Sequence, residues 1–223
     1  MKRIHVICEG KTEVRFVREI LNRDFSSKQI FFFPRLLGEG HKGGRLDNQR
    51  LFNDIKKLLL EDKNAYCTTF FDFYALPSDF FGRDEVSANM LIQSKYDTVC
   101  HELGRYVLNK LGQSVARRFI PYVQMYEFEG LLFSSPEKFA QGIDRLDIVH
   151  KLKDVRNQFE TPEHINNSQH TAPSKRIKQL VKGYQKPLYG VIGALEIGLP
   201  TMRQECPIFN TWLNYLAQLP LLE

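Results

Sequence analysis

The chain has 223 residues, 43% of them hydrophobic and 12% aromatic, enough for one large domain with a substantial core, which excludes intrinsic disorder. No apolar run approaches the roughly 18 residues needed to span a bilayer, so a transmembrane protein is excluded as well. Lys and Arg outnumber Asp and Glu by 31 to 26, and the net charge of +5 suits a polyanionic partner without requiring one. The opening, Met1 to Lys11, runs a short apolar stretch into a glycine turn and lacks the features of a signal peptide, which predicts a cytoplasmic protein. The four cysteines, Cys8, Cys67, Cys100 and Cys206, form no C-x-x-C pair, and they read as buried thiols rather than a zinc site or disulfide framework.

Ile4, Val6 and Ile7 mark a first strand, which ends in the turn Glu9-Gly10-Lys11. Thr12 then reads as an N-cap, with Val14, Val17, Ile20, Leu21 and Phe25 at helical spacing behind it. Residues 29–37 form a second apolar run of strand length. A loop with Gly38, Gly40, Gly43 and Gly44 leads to Asp47 and a helix whose inward face is Leu51, Phe52, Ile55, Leu58 and Leu59. Residues 66–71 make a third strand ending at Asp72, and a helix over about 95–111 follows the loop 77–84. Residues 118–124 read as a fourth strand. Strands alternating with crossover helices predict an α/β fold, with a mostly parallel sheet covered on both faces. After Pro136 helical patterns take over. Residues 1–135 thus read as an α/β core and 136–223 as a helical C-terminal cap on that core, since no linker separates them.

In open parallel sheets, sites form at the carboxyl ends of the strands. Glu9 ends the first strand, Asp72 ends the third, and Glu127 and Glu129 follow the fourth. If those strands are neighbours, the carboxylates converge, and a cluster of that kind repels itself unless cations are bound. Oxygen-only ligands suit magnesium or manganese. Glu127 and Glu129 share a face if the strand continues and point about 160–200° apart if a helix has begun. Each acid alone is also explained as a cap or a solvated loop group, and Glu13 is explained by the positive end of the first helix dipole. It is the recurrence at three strand ends that singles the cluster out.

Two basic stretches are candidates for phosphate contact. The glycine loop carries Lys42 and Arg45 but fits neither a P-loop nor a dinucleotide fingerprint. Farther on, Thr161-Pro162-Glu163 starts a short helix, and Thr171-Ala172-Pro173-Ser174-Lys175-Arg176-Ile177 opens another. Cations in the first turn oppose the helix dipole, a conflict that a phosphate bound there would resolve.

The stretch Val6-Ile7-Cys8-Glu9-Gly10-Lys11-Thr12-Glu13 resembles the opening motif of TOPRIM-like domains, especially those of overcoming-lysogenization-defect (OLD) nucleases. The stretches 71–77, 127–134 and 171–177, in that order, extend the resemblance to a bacterial domain-of-unknown-function family of small TOPRIM-like proteins. Members of that family are often encoded beside AAA-type ATPases in defence regions. The resemblance implies a TOPRIM-like, Rossmann-like sheet, with Glu9 as the TOPRIM glutamate and Asp72 as the first acid of a D-x-D pair. Tyr74 stands where the second acid belongs, Asp79 is close in sequence, and Tyr126 stands where relatives carry a histidine.

The function implied is a magnesium- or manganese-dependent nuclease, an effector of anti-phage defence with an AAA/OLD-type ATPase partner. Asp72 with Glu127 or Glu129 would hold the metal, and Glu9 would act as general base or second ligand. Lys175 would offset charge in the transition state, and Arg45, Ser174, Arg176 and Lys186 would contact nucleic-acid phosphates. The alternative is a non-catalytic TOPRIM-like subunit that binds nucleic acid or the ATPase. Self-association into a homo-oligomer is compatible with both, and neither involves a membrane.

Overall fold

The computed structural model of the chain describes residues 1–38, 46–166 and 171–222. Its sheet comprises β1 (Lys2–Cys8), β2 (Ile30–Leu36), β3 (Ala65–Asp72), β4 (Phe119–Ile120) and β5 (Val123–Gln124). The spatial order is β2-β1-β3-β4, and β5 also pairs with β3, nearer its carboxyl end. Among the described residues every strand pairing is parallel. β3 is buried at each of its positions, as expected of a central strand covered on both faces, and this accounts for its unbroken apolar and β-branched run.

The helices are α1 (Lys11–Phe16), α2 (Asn22–Phe25), α3 (Asn48–Glu61), α4 (Ile92–Leu111), α5 (Gln113–Ala116), α6 (Pro136–Gly142), α7 (Val149–Arg156), α8 (Pro173–Leu180), α9 (Val191–Ile197), α10 (Leu199–Glu205) and α11 (Pro207–Gln218). A π-helical turn, Val17–Leu21, joins α1 to α2. The fold is therefore α/β, with helices filling the C-terminal part. Buried residues from Ile4 to Leu216 belong to one core cluster, so the C-terminal helices share the core of the sheet. At the join, Trp212 of α11 stacks on Tyr122 at 4.1 Å and 13°, and its indole N–H donates to Thr68 Oγ1 of β3 at 3.0 Å. No helix among the described residues is long and apolar enough to cross a membrane.

Three local expectations are corrected. The fourth strand is not continuous over 118–124. Pro121, which has no N–H to give a ladder, divides it into β4 and β5. Thr69 bridges the break, since its Oγ1 accepts from Tyr122 N at 2.9 Å and donates to Tyr122 O at 2.7 Å. The helix expected from about residue 95 begins at Ile92, which is half-buried and packs against the core one turn before Tyr96. Thr12 is not the N-cap of α1. Gly10 is, in extended conformation, and Thr12 is buried in the first turn. Asp47 does cap α3, accepting from Arg50 N at 2.8 Å.

Candidate acidic site at the strand ends

β1 and β3 are adjacent and parallel, so their carboxyl ends deliver Glu9 and Asp72 side by side, and the Asp72 N–H donates to Glu9 Oε2 at 3.1 Å. One turn into α1 the helix turns Glu13 inward, where it is buried. β5 runs beside β3 and leads into a 3-10 helix, Phe128–Ser134, which carries Glu129 inward until it is wholly buried. Asp72 fixes this 3-10 helix directly, with its Oδ1 accepting from the Phe128 N–H at 2.7 Å.

The three buried acids converge on one cation. Lys186 Nζ lies 2.8 Å from Asp72 Oδ2, 3.1 Å from Glu129 Oε2 and 3.7 Å from Glu13 Oε1. Burial works against the charged ammonium, but Asp72, Glu129 and Glu13 outweigh it and hold Lys186 protonated above the usual lysine range. A single positive charge does not balance its surroundings. Burial pushes the Glu129 carboxyl up to about 7 against the opposing pull of Lys186. Burial also raises Glu13, and the charge of Asp72 adds to it. Glu9 is pushed up to about 8 by desolvation and by Asp72. Both oxygens of Glu129 lack a hydrogen-bond partner, because Lys186 reaches Oε2 at ion-pair distance but not in hydrogen-bonding geometry.

The sequence model of a family described as a domain of unknown function, DUF4276, matches residues 8–217. The chain belongs to the DUF4276 family. No curated protein and no solved structure matches it. In this DUF4276 chain the matched span takes in both the sheet and the C-terminal helices, and with them every residue of the acidic crevice.

The other expected site residues of the DUF4276 chain lie apart from the three that meet at Lys186. Glu127, the extended N-cap residue of the 3-10 helix, is turned to a different partner from Glu129, and its carboxylate accepts from Ser174 N at 2.7 Å and Ser174 Oγ at 2.9 Å. Glu127 therefore fills the N-terminus of α8, the place expected to hold a phosphate. Lys175 is exposed on the first turn of α8. Arg176 is folded back, with Nε donating to Thr171 O at 2.7 Å and its guanidinium 5.4 Å from the Phe159 ring centroid. Arg45 lies outside the described residues. Tyr74, at the expected second acid position, donates its hydroxyl to Asn166 Oδ1 and packs against Tyr126 at 5.2 Å. Tyr126 holds a positive φ of 60°, a strained backbone for a bulky residue. Asp79 is exposed. Glu13 escapes a reading of the sequence because an acid in the first turn of a helix is accounted for by the dipole alone. Its one distinguishing signal is that it follows Glu9 by four residues, which turns it back toward the same strand end.

Among the described residues, no three His, Cys, Asp or Glu side chains form a ready-made metal cage. The chemistry of the donor set nevertheless fits a hard divalent cation: carboxylate oxygens only, with the two buried oxygens of Glu129 free of hydrogen bonds. The ammonium of Lys186 lies at their convergence. Its 2.8 and 3.1 Å contacts to Asp72 and Glu129 are hydrogen-bond and ion-pair lengths rather than the about 2.0–2.1 Å of magnesium.

Proposed function

We propose that this DUF4276 chain is a divalent-metal-dependent phosphodiesterase acting on nucleic acid, a TOPRIM-like nuclease. One observation carries the reading: the wholly buried Glu129, with no hydrogen bond to either carboxylate oxygen, shares Lys186 with two further buried acids, Asp72 at the end of β3 and Glu13 in the first turn of α1. Asp72 and Glu129 are the residues that would hold magnesium or manganese, with Glu9 and Glu13 alongside; the ion would supply Lewis acidity at the scissile phosphate. Glu9, exposed at the mouth and with its carboxyl raised to about 8, is largely protonated near neutral pH in the metal-free chain, and would serve as general base above that value or as a further ligand. Asp72 orients the Glu129-bearing 3-10 helix through the Phe128 N–H. Lys175, exposed on α8, is available to a backbone phosphate with little sequence preference.

A second reading has its own observation. The ammonium of Lys186 already fills the cation position, and Tyr74, held by Asn166, replaces an acid. Both favour a non-catalytic subunit that binds nucleic acid or an ATPase partner. Cleavage of single- and double-stranded DNA and bulk tRNA, with magnesium or manganese, separates the two. The enzyme reading expects metal-dependent cleavage by wild type that Asp72→Asn abolishes. Cleavage that survives Asp72→Asn contradicts it, and nucleic-acid binding without cleavage under every condition, an added AAA-type ATPase and ATP included, favours the second reading.

A further inference from the structure

We propose that Lys186 is a tethered counter-ion that keeps the acidic crevice closed in the metal-free state and leaves it when a divalent cation enters. The inference rests on the reading of the crevice as a cation site. Of the four side chains that meet there, Asp72, Glu13 and Glu129 are 7%, 4% and 0% exposed, whereas Lys186 is 31% exposed. The ammonium therefore reaches the acids from the solvent side, and it is the member that can withdraw.

Lys186 opens a π-helical turn, Lys186–Gly190, held between two anchors and leading into α9, so withdrawal falls to its long side chain rather than to the backbone. On one side Gly183 holds a left-handed φ of 79°, and a Cβ there would meet no atom within 4 Å. Residues 182 and 183 are exposed, and Tyr184 is buried next to them. On the other side Gly190 packs so closely that a Cβ there would lie 3.3 Å from both the Phe128 ring and the Tyr184 hydroxyl. Between these anchors Gln185, Pro187 and Leu188 are exposed, tied down by the bond from Arg15 Nη1 to Pro187 O at 2.8 Å.

Electrostatics require an exchange rather than a shared site. An ammonium and a divalent ion cannot both sit within about 3 Å of Asp72 and Glu129, because their repulsion would cancel the attraction that draws either one in. The ammonium supplies a single charge to four carboxylates, Glu9, Glu13, Asp72 and Glu129, and leaves both Glu129 oxygens without a hydrogen bond. A divalent ion supplies twice the charge to the same oxygens. Expelled to the mouth, Lys186 becomes available to a phosphate, the role its basic side chain suggests in the sequence. The measured metal affinity of the wild type is then the intrinsic affinity reduced by the fraction of molecules with Lys186 withdrawn.

Two measurements test the exchange without reference to activity. In calorimetric titration with Mn²⁺, Lys186→Met binds more tightly than wild type, by about ten-fold or more if the closed state is the main one. In the second, lysine acylation mapped by mass spectrometry on the wild-type chain, Lys186 reacts slowly in EDTA and several-fold faster with Mn²⁺. This measurement decides the matter if Lys186→Met fails to fold. Equal Mn²⁺ affinity in wild type and Lys186→Met, or Lys186 reactivity unchanged by bound Mn²⁺, overturns the exchange and leaves the cation site standing. Absence of Mn²⁺ binding by both proteins overturns the cation site and the exchange together.

Discussion

Glu129 is the residue on which the electrostatics of the crevice turn, since it is fully buried, unpaired by hydrogen bonds and raised to about 7. For an acid whose carboxyl is raised in the folded state, stability is fully present below its ordinary value of 4.5 and is lost as pH rises toward the folded value. The metal-free chain is therefore expected to lose stability between about pH 4.5 and 7 on account of this group. Glu129→Gln removes the buried charge and should flatten that fall, by on the order of 1–3 kcal/mol at pH 8, as thermal melts in EDTA at pH 5 and pH 8 would show. Parallel pH profiles for the two proteins would mean that Glu129 ionises without cost. At this scale much of the site is legible, because Glu9, Asp72 and Glu129 each follow a strand in the sequence. The separation of Glu127 from Glu129 is one of two geometries that the sequence allows, and the 3-10 helix selects between them. Lys186 is legible as a basic residue but not as a partner of Asp72, since the two are 114 positions apart and share no local pattern.

At the scale of elements, the C-terminal helices are fixed by contacts that no periodicity announces. Glu163, on the 3-10 turn Pro162–His164, is buried and accepts from Ile208 N and Phe209 N of α11, each at 2.9 Å. In the sequence Glu163 reads only as an early residue of a short helix. In the fold it caps a helix 45 residues away. Glu163→Ala leaves two N–H groups at a buried helix start without an acceptor, and about 2–4 kcal/mol of destabilisation is expected in urea unfolding. A change below about 0.5 kcal/mol would show that water replaces the carboxylate. The element pattern is legible where burial is continuous, as in β3, or one-sided, as in α3. It fails at β4 and β5, where a single Pro121 outweighs the β-formers on either side.

The whole molecule pairs a net charge of +5 with an acidic crevice, so on the proposed reading cations elsewhere on its surface would bring the polyanion to the acids. Lys175 and Arg176 are candidates that the sequence offers, and the bonds from Ser174 to Glu127 join their helix to the segment bearing Glu129. The double substitution Lys175→Ala with Arg176→Ala should weaken DNA or RNA binding and reduce the salt slope of the affinity by about one for each phosphate left without its cation. An unchanged slope in fluorescence anisotropy would make these residues a solvated helix face. The parallel sheet and its C-terminal cover are legible from the alternation of strands and helices. The stack of Trp212 on Tyr122, which ties the two parts into one core, is not, because it joins distant stretches of chain.

The most direct test of the central claim, that the strand-end acids form a cation site, is the anomalous scattering of a crystal soaked in Mn²⁺. The account predicts a manganese peak bounded by Asp72 and Glu129, with the Lys186 ammonium moved out of the crevice. A crevice that still holds the Lys186 ammonium against Asp72, with no peak among the carboxylates at saturating manganese, would contradict it.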